Sequence, residues 1–183
     1  MSVSFDDLIR NTEKQLDTEF IDEFIFHVDS SLTKSRSDVK SDFQLATEQV
    51  EDKCYMLDEV KKLANELSIL ALYKKIEIHT RDAVNHHILS IDQRKLSNIN
   101  DLKSSLPFVL ESVDEYSAFN ELRLLNNSIK HNGEVSEKLS KNFQSWKKGE
   151  ELYDLDKAYN RLKPKVKIYI ESLVSLILKS KKK

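Results

Sequence analysis

LANELSILALYKKIEI, residues 63–78, leaves almost no polar side when wound as a helix: Ile69, Leu70, Leu72, Tyr73, Ile76 and Ile78 fall all around the axis. Just upstream, Leu57, Val60, Ala64, Leu67 and Ala71 recur at helical spacing. A helix that is apolar on every side belongs at the centre of a molecule, so a long central helix is expected from about Phe43 to about Leu89. The rest of the composition agrees. With 2 Gly and 2 Pro in 183 residues, against 33% charged and 39% hydrophobic residues, the chain lacks the turn residues of β folds. Its length suits one domain with a real core. The expectation is therefore all-α: a single-domain helical bundle over 1–183, with an N-terminal extension over 1–42 and a last helix over about 156–180.

Ser4 followed by FDDLIR has the cap and first-turn carboxylates of a helix start. The first helices are expected to run to about Leu32, with Phe5, Leu8, Ile9, Leu16, Phe20, Phe24 and Ile25 facing the core. SLTKSRSDVKSDF, residues 31–43, reads either as an exposed helix face or as a connection. IDQRKLSNINDLKSSLPF, residues 91–108, is a connection with at most short helical pieces. VSEKLSKNFQSWKKGEEL, residues 135–152, carries Leu139, Phe143 and Trp146 on a short helix followed by a turn at Gly149. The last helix has Val166, Ile170, Leu173, Val174, Ile177 and Leu178 as its stripe, with Pro164 expected to kink or divide it.

Several functions are disfavoured at this level. A formal net charge of −2 gives no bulk positive field for nucleic acid or membrane, and the basic KSKKK end suits the C-terminal dipole of a helix. The single Cys54 excludes an internal disulfide and reads as a buried thiol of a reducing compartment. The acidic start is unlike a signal peptide and no apolar run approaches a membrane span, so a cytoplasmic protein without membrane partners is expected. Two isolated glycines cannot build a phosphate loop, and neither G-x-S-x-G nor H-E-x-x-H occurs. No cofactor is implied. His27 reads as a half-buried packing residue, whereas His79, His86 and His87 share one end of the central helix, where either a metal or the helix dipole accounts for them. No metal is assigned.

ELRLLNNSIKHNGEVSEKL, residues 121–139, is the segment with chemistry in it. With Asp114 as its expected cap, the helix has Ala118, Leu122, Leu125 and Ile129 as a core stripe and ends at Gly133. Tyr116, Phe119, Arg123, Asn127 and Lys130 share a second side, flanked by Asn126 and His131. Tyr116 and Phe119 on that side point to a second packing surface against another subunit. Imidazole, amide and cations at one helix end are equipment for metal-independent RNA cleavage, with proton transfer at His131 and a cation for developing charge. The same residues also suit a polar helix end with no further role.

This segment resembles the signature of HEPN-superfamily helical proteins, which include RNase toxins and prokaryotic defence components: an arginine, a polar residue often Asn, three further residues and a histidine at a helix end. LANELSILALYKKIEIHTRDAV, residues 63–84, is similar to the central helix of such proteins, and the resemblance spans roughly residues 55–145. His131 matches the motif histidine and Asn127 the polar residue, while Asn126 stands where the arginine is expected. Arg123 lies one turn earlier and could bring a guanidinium to the same place; RDAVNH, Arg81 to His86, matches the bare spacing without the Gly turn. The resemblance implies a homodimer with RNA between facing motif helices, with His131 as acid/base, Arg123 on the phosphate, Asn126 and Asn127 at the site and Lys130 on RNA. It also implies a partner of antitoxin or defence type. The alternative it leaves open is a noncatalytic RNA-binding or protein-interaction module.

Overall fold

In the computed structural model the described residues are 17–42, 45–87 and 98–180, without the side chains of His86 and His87. The expectations for Ser4, Phe5, Leu8, Ile9 and Leu16, for the 88–97 part of the connection and for residues 181–183 lie outside them. Among the described residues six helices follow in order: α1 Glu19–Ser41, α2 Thr47–His87, α3 Ile99–Ser105, α4 Tyr116–His131, α5 Glu137–Asn142 and α6 Leu155–Ser180. A 3₁₀ turn at Leu110–Ser112 precedes α4, and among the described residues the β pairing is one isolated bridge between Glu134 and Glu151. The protein is an all-α bundle.

α2 has 41 residues and is about 60 Å long at 1.5 Å per residue. It packs mainly on α6 and α1, while α4 packs on α6 and α2. Ile69, Leu72, Ile76 and Val84 of α2, Leu122 and Leu125 of α4, and Leu162, Val166, Ile170, Leu173 and Ile177 of α6 are fully buried together. Each such side chain contributes about 1.5–3 kcal/mol by leaving water. α2 is central only over its C-terminal half. In the N-terminal half Ala64 is buried, but Val60 and Leu67 of the expected stripe are exposed; α1 and the loop before α6 meet this stretch through Lys61–Asp29 and Lys62–Glu151.

α1 departs from expectation in length and in face. It continues through SLTKSRSDVKS to Ser41, where Arg36 pairs with Asp58 and Asp29 with Lys61 of α2; this stretch is an exposed helix face. Its inward positions are Ile21 and Ile25, and Phe20 and Phe24 point outward, Phe20 beneath the Lys75 ammonium at 5.2 Å. His27 is exposed, at 3.4 Å from Glu23 and edge-on to Phe26, not half-buried. Asp22 fixes α1 to α6 by accepting from Tyr159 Oη at 3.0 Å and from Lys163 Nζ at 2.9 Å. Cys54 is half-buried.

Pro164 does not divide α6, which runs as one helix with this proline, lacking a backbone donor, in its interior. Asp114 does not cap α4. The residue before the helix is Glu115 at φ 54°, without a side-chain cap bond, and the Asp114 N–H donates to Ser172 Oγ at 3.1 Å.

The far side of α4, expected to face another subunit, is covered within the chain. Phe119 is 3% exposed and stacks on Tyr169 of α6, centroids 4.4 Å apart and planes 1° from parallel. Tyr116 is half-buried against it. Phe119 therefore presents no surface to a partner. Burial pushes the Tyr169 hydroxyl well above its ordinary pKa. The folded chain thus keeps a proton that the unfolded chain loses above about pH 10, so this contribution to stability is whole below that pH and declines above it, by up to about 1.4 kcal/mol per pH unit. Urea midpoints at pH 9 and pH 11 should differ more for the natural chain than for Tyr169→Phe; an equal drop in both would contradict this.

Candidate functional site at the end of α4

The last turn of α4 carries Asn127, Lys130 and His131, and Gly133 stops it at φ +70°, a conformation that residues with a Cβ rarely adopt. The Gly133 N–H donates to the Ser128 carbonyl at 3.0 Å, closing the helix end. Beyond it the chain is pinned twice. Buried Ser128 donates through Oγ to Ser136 Oγ at 3.0 Å, and Ser136 caps α5 by accepting from the Leu139 N–H. Val135 N donates to the Glu150 carbonyl at 2.8 Å, and Leu152 N to that of Gly133 at 3.2 Å.

A buried carboxylate holds the 143–153 loop on the bundle. Glu121 accepts from Trp146 Nε1 at 2.8 Å and from both terminal guanidinium nitrogens of Arg161, Nη1 at 2.9 Å and Nη2 at 2.7 Å. The Glu121 hydrogen bond raises the Arg161 pKa further. Glu121→Ala leaves the buried indole N–H unpaired and a half-exposed guanidinium without its partner, so a loss of about 2–3 kcal/mol is expected. A urea titration checks it; an unchanged midpoint would show the network to be dispensable.

These anchors form a cleft of about 400 Å³, whose walls include Asn127, His131, Glu134, Glu137, Lys138 and Lys148. Hydrogen bonds from Lys141 and then Lys148 hold the Glu137 carboxyl below the usual carboxylate range. Lys148 donates to it at 3.1 Å. The imidazole and the Asn127 amide thus share a cleft with two ammonium and two carboxylate groups. Helical spacing could not have found Glu137, Lys138 or Lys148, which reach His131 only through the turn and loop. A larger groove of about 520 Å³ between α1 and α2 contains Arg36 and Lys61, engaged by Asp58 and Asp29, and has neither an imidazole nor a side-chain amide among its lining residues.

The remaining sequence-derived site residues are dispersed. Asn126 is 2% exposed and its Nδ2 donates to Asn127 Oδ1 at 3.3 Å, inside the molecule. Arg123 turns the other way, donating to Asn120 Oδ1 at 2.8 Å, and lines a cavity of about 20 Å³ with Tyr73, Glu77 and Thr80. Arg123 and His131 therefore do not share a site. Lys130 is exposed beside the cleft but is not among its lining residues. His79 lies half-buried on α2, and among the described residues no three metal-type side chains converge.

Fold and cleft together define a helical-bundle protein with a polar cleft at one helix end. No protein-family model, curated protein or solved structure matches this chain significantly. Among the described residues no helix is long and apolar enough to cross a membrane.

Proposed function

We propose that this chain is a HEPN-like module whose α4 cleft binds RNA without cutting it. One observation carries the reading: His131 and Asn127 line a cleft with Lys138 and Lys148, while Asn126 is buried and Arg123 faces another cavity. An imidazole without an adjacent guanidinium has cations for phosphate contact, but not the arginine that the signature places beside its histidine. Lys138 meets phosphate directly, Lys148 does so by exchanging Glu137 for it, and Asn127 offers an amide to a base or ribose edge beside the exposed His131 imidazole. A homodimer, a cytoplasmic setting and a partner of antitoxin or defence type belong to the same proposal, with the dimer drawing on the exposed end of α4 instead of Phe119.

Single-stranded RNA binding by fluorescence anisotropy tests it. Two lysine contacts on a single strand predict affinity about tenfold weaker at 300 mM than at 50 mM salt. Lys138→Ala with Lys148→Ala should flatten that dependence, and no detectable binding at low salt would refute the proposal. The second reading, a ribonuclease, rests on the exposed His131 imidazole sharing a cleft with two cations. Cleavage of the same RNA that disappears in His131→Ala would establish it in place of the first.

A further inference from the structure

The outer face of α2's N-terminal half carries an apolar row that nothing in the described chain covers. Met56, Val60, Leu63 and Leu67 are separated by four, three and four positions and are all exposed, Met56 at 66% and Leu63 at 54%. At 100° per residue they lie within about 60° of one another, opposite the side that α1 engages through Asp58 and Lys61. This alternation is the a/d seam of a two-helix contact, on a helix whose inner side is already packed. Solvated helix backs are polar, so a contiguous apolar row there marks a contact surface.

The flank identifies the occupant. Asp52, Glu59 and Glu66 repeat every seven residues along one edge of the row. Lys62, at the margin of these acids, is engaged by Glu151. On the opposite edge Leu57 and Ala64 turn toward the bundle. A second copy of α2 laid antiparallel on this face sets acid against acid, and laid parallel it sets the acids over Leu57 and Ala64; both arrangements are unfavourable. An anionic lipid surface needs a Lys/Arg-rich polar face, whereas this row is edged by three carboxylates, with Lys53 and Lys74 only beyond its two ends.

We propose that this face of α2 docks a basic amphipathic helix of a partner protein, one with apolar residues at spacings of three and four and Lys or Arg along its edge. The proposal is independent of the α4 cleft. The probe is a synthetic helical peptide of about three heptads, leucine at a and d and lysine at e and g, beside a twin with glutamate at e and g. Against the full chain, titration calorimetry should detect the lysine peptide, a weaker or absent glutamate peptide, and a loss of about tenfold or more with Leu63→Glu, whose position is exposed and whose fold is checked by circular dichroism. Three results overturn it: no binding of the lysine peptide, equal binding of both peptides, or binding unchanged by Leu63→Glu. Sedimentation showing a dimer that Leu63→Glu dissolves also overturns it, in favour of a second copy.

Discussion

Phe119→Asp is expected to unfold the chain, not to separate subunits. Its ring is stacked flat on Tyr169 in the core between α4 and α6, with 3% of its surface exposed. Removing such a ring costs about 3–5 kcal/mol, and a carboxylate in its place adds the cost of a buried unpaired charge. Against a total stability of about 5–15 kcal/mol, that is a large part of the whole. Far-UV circular dichroism and thermal melting should show a lost or strongly lowered transition. A folded variant that differs only in sedimenting at lower mass would return Phe119 to an interface.

The second large effect is expected for Asn126→Arg, the substitution that would complete the HEPN-like signature. At 2% exposure, with the Asn127 amide oxygen as its hydrogen-bond partner, position 126 would take a guanidinium out of water. The variant should lose about 3 kcal/mol or more and gain no RNA cleavage. Denaturant unfolding and incubation with RNA check both halves. Unchanged stability with cleavage that depends on His131 would mean that residue 126 reaches the cleft after all.

These two residues show where helical periodicity stops being informative. A 100° wheel correctly groups Tyr116, Phe119, Arg123 and Asn127 on one side of α4, but it cannot say what lies opposite that side. It was α6 of the same chain, bringing Tyr169, that filled the place assigned to a second subunit. Likewise the wheel places His131 about 80° from Arg123, at the flank of the same side, although eight residues along a helix separate them by about 12 Å. On α1 the aromatic residues Phe20 and Phe24 outweigh Ile21 and Ile25 in size, yet the smaller pair faces α2 and α6. Side-chain size does not orient a helix that has apolar residues on two faces.

Class and punctuation were legible in the residues: helices from periodicity and scarce Gly and Pro, the long α2 from its all-round apolar run, the end of α4 from Gly133, and the short α5 before the Gly149 turn. These follow from local backbone chemistry and spacing, which act within a few residues. Which residues meet across the chain was settled by the packing of the helices. The cleft pairs His131 with Lys138 and Lys148 because Ser136 and the Val135–Glu150 bond fold the following segment back on α4. Arg123 and Asn126 are withdrawn because α2 and the core occupy their sides of the helix. Contacts between residues far apart in the chain depend on the relative placement of whole helices, and no local pattern encodes that placement.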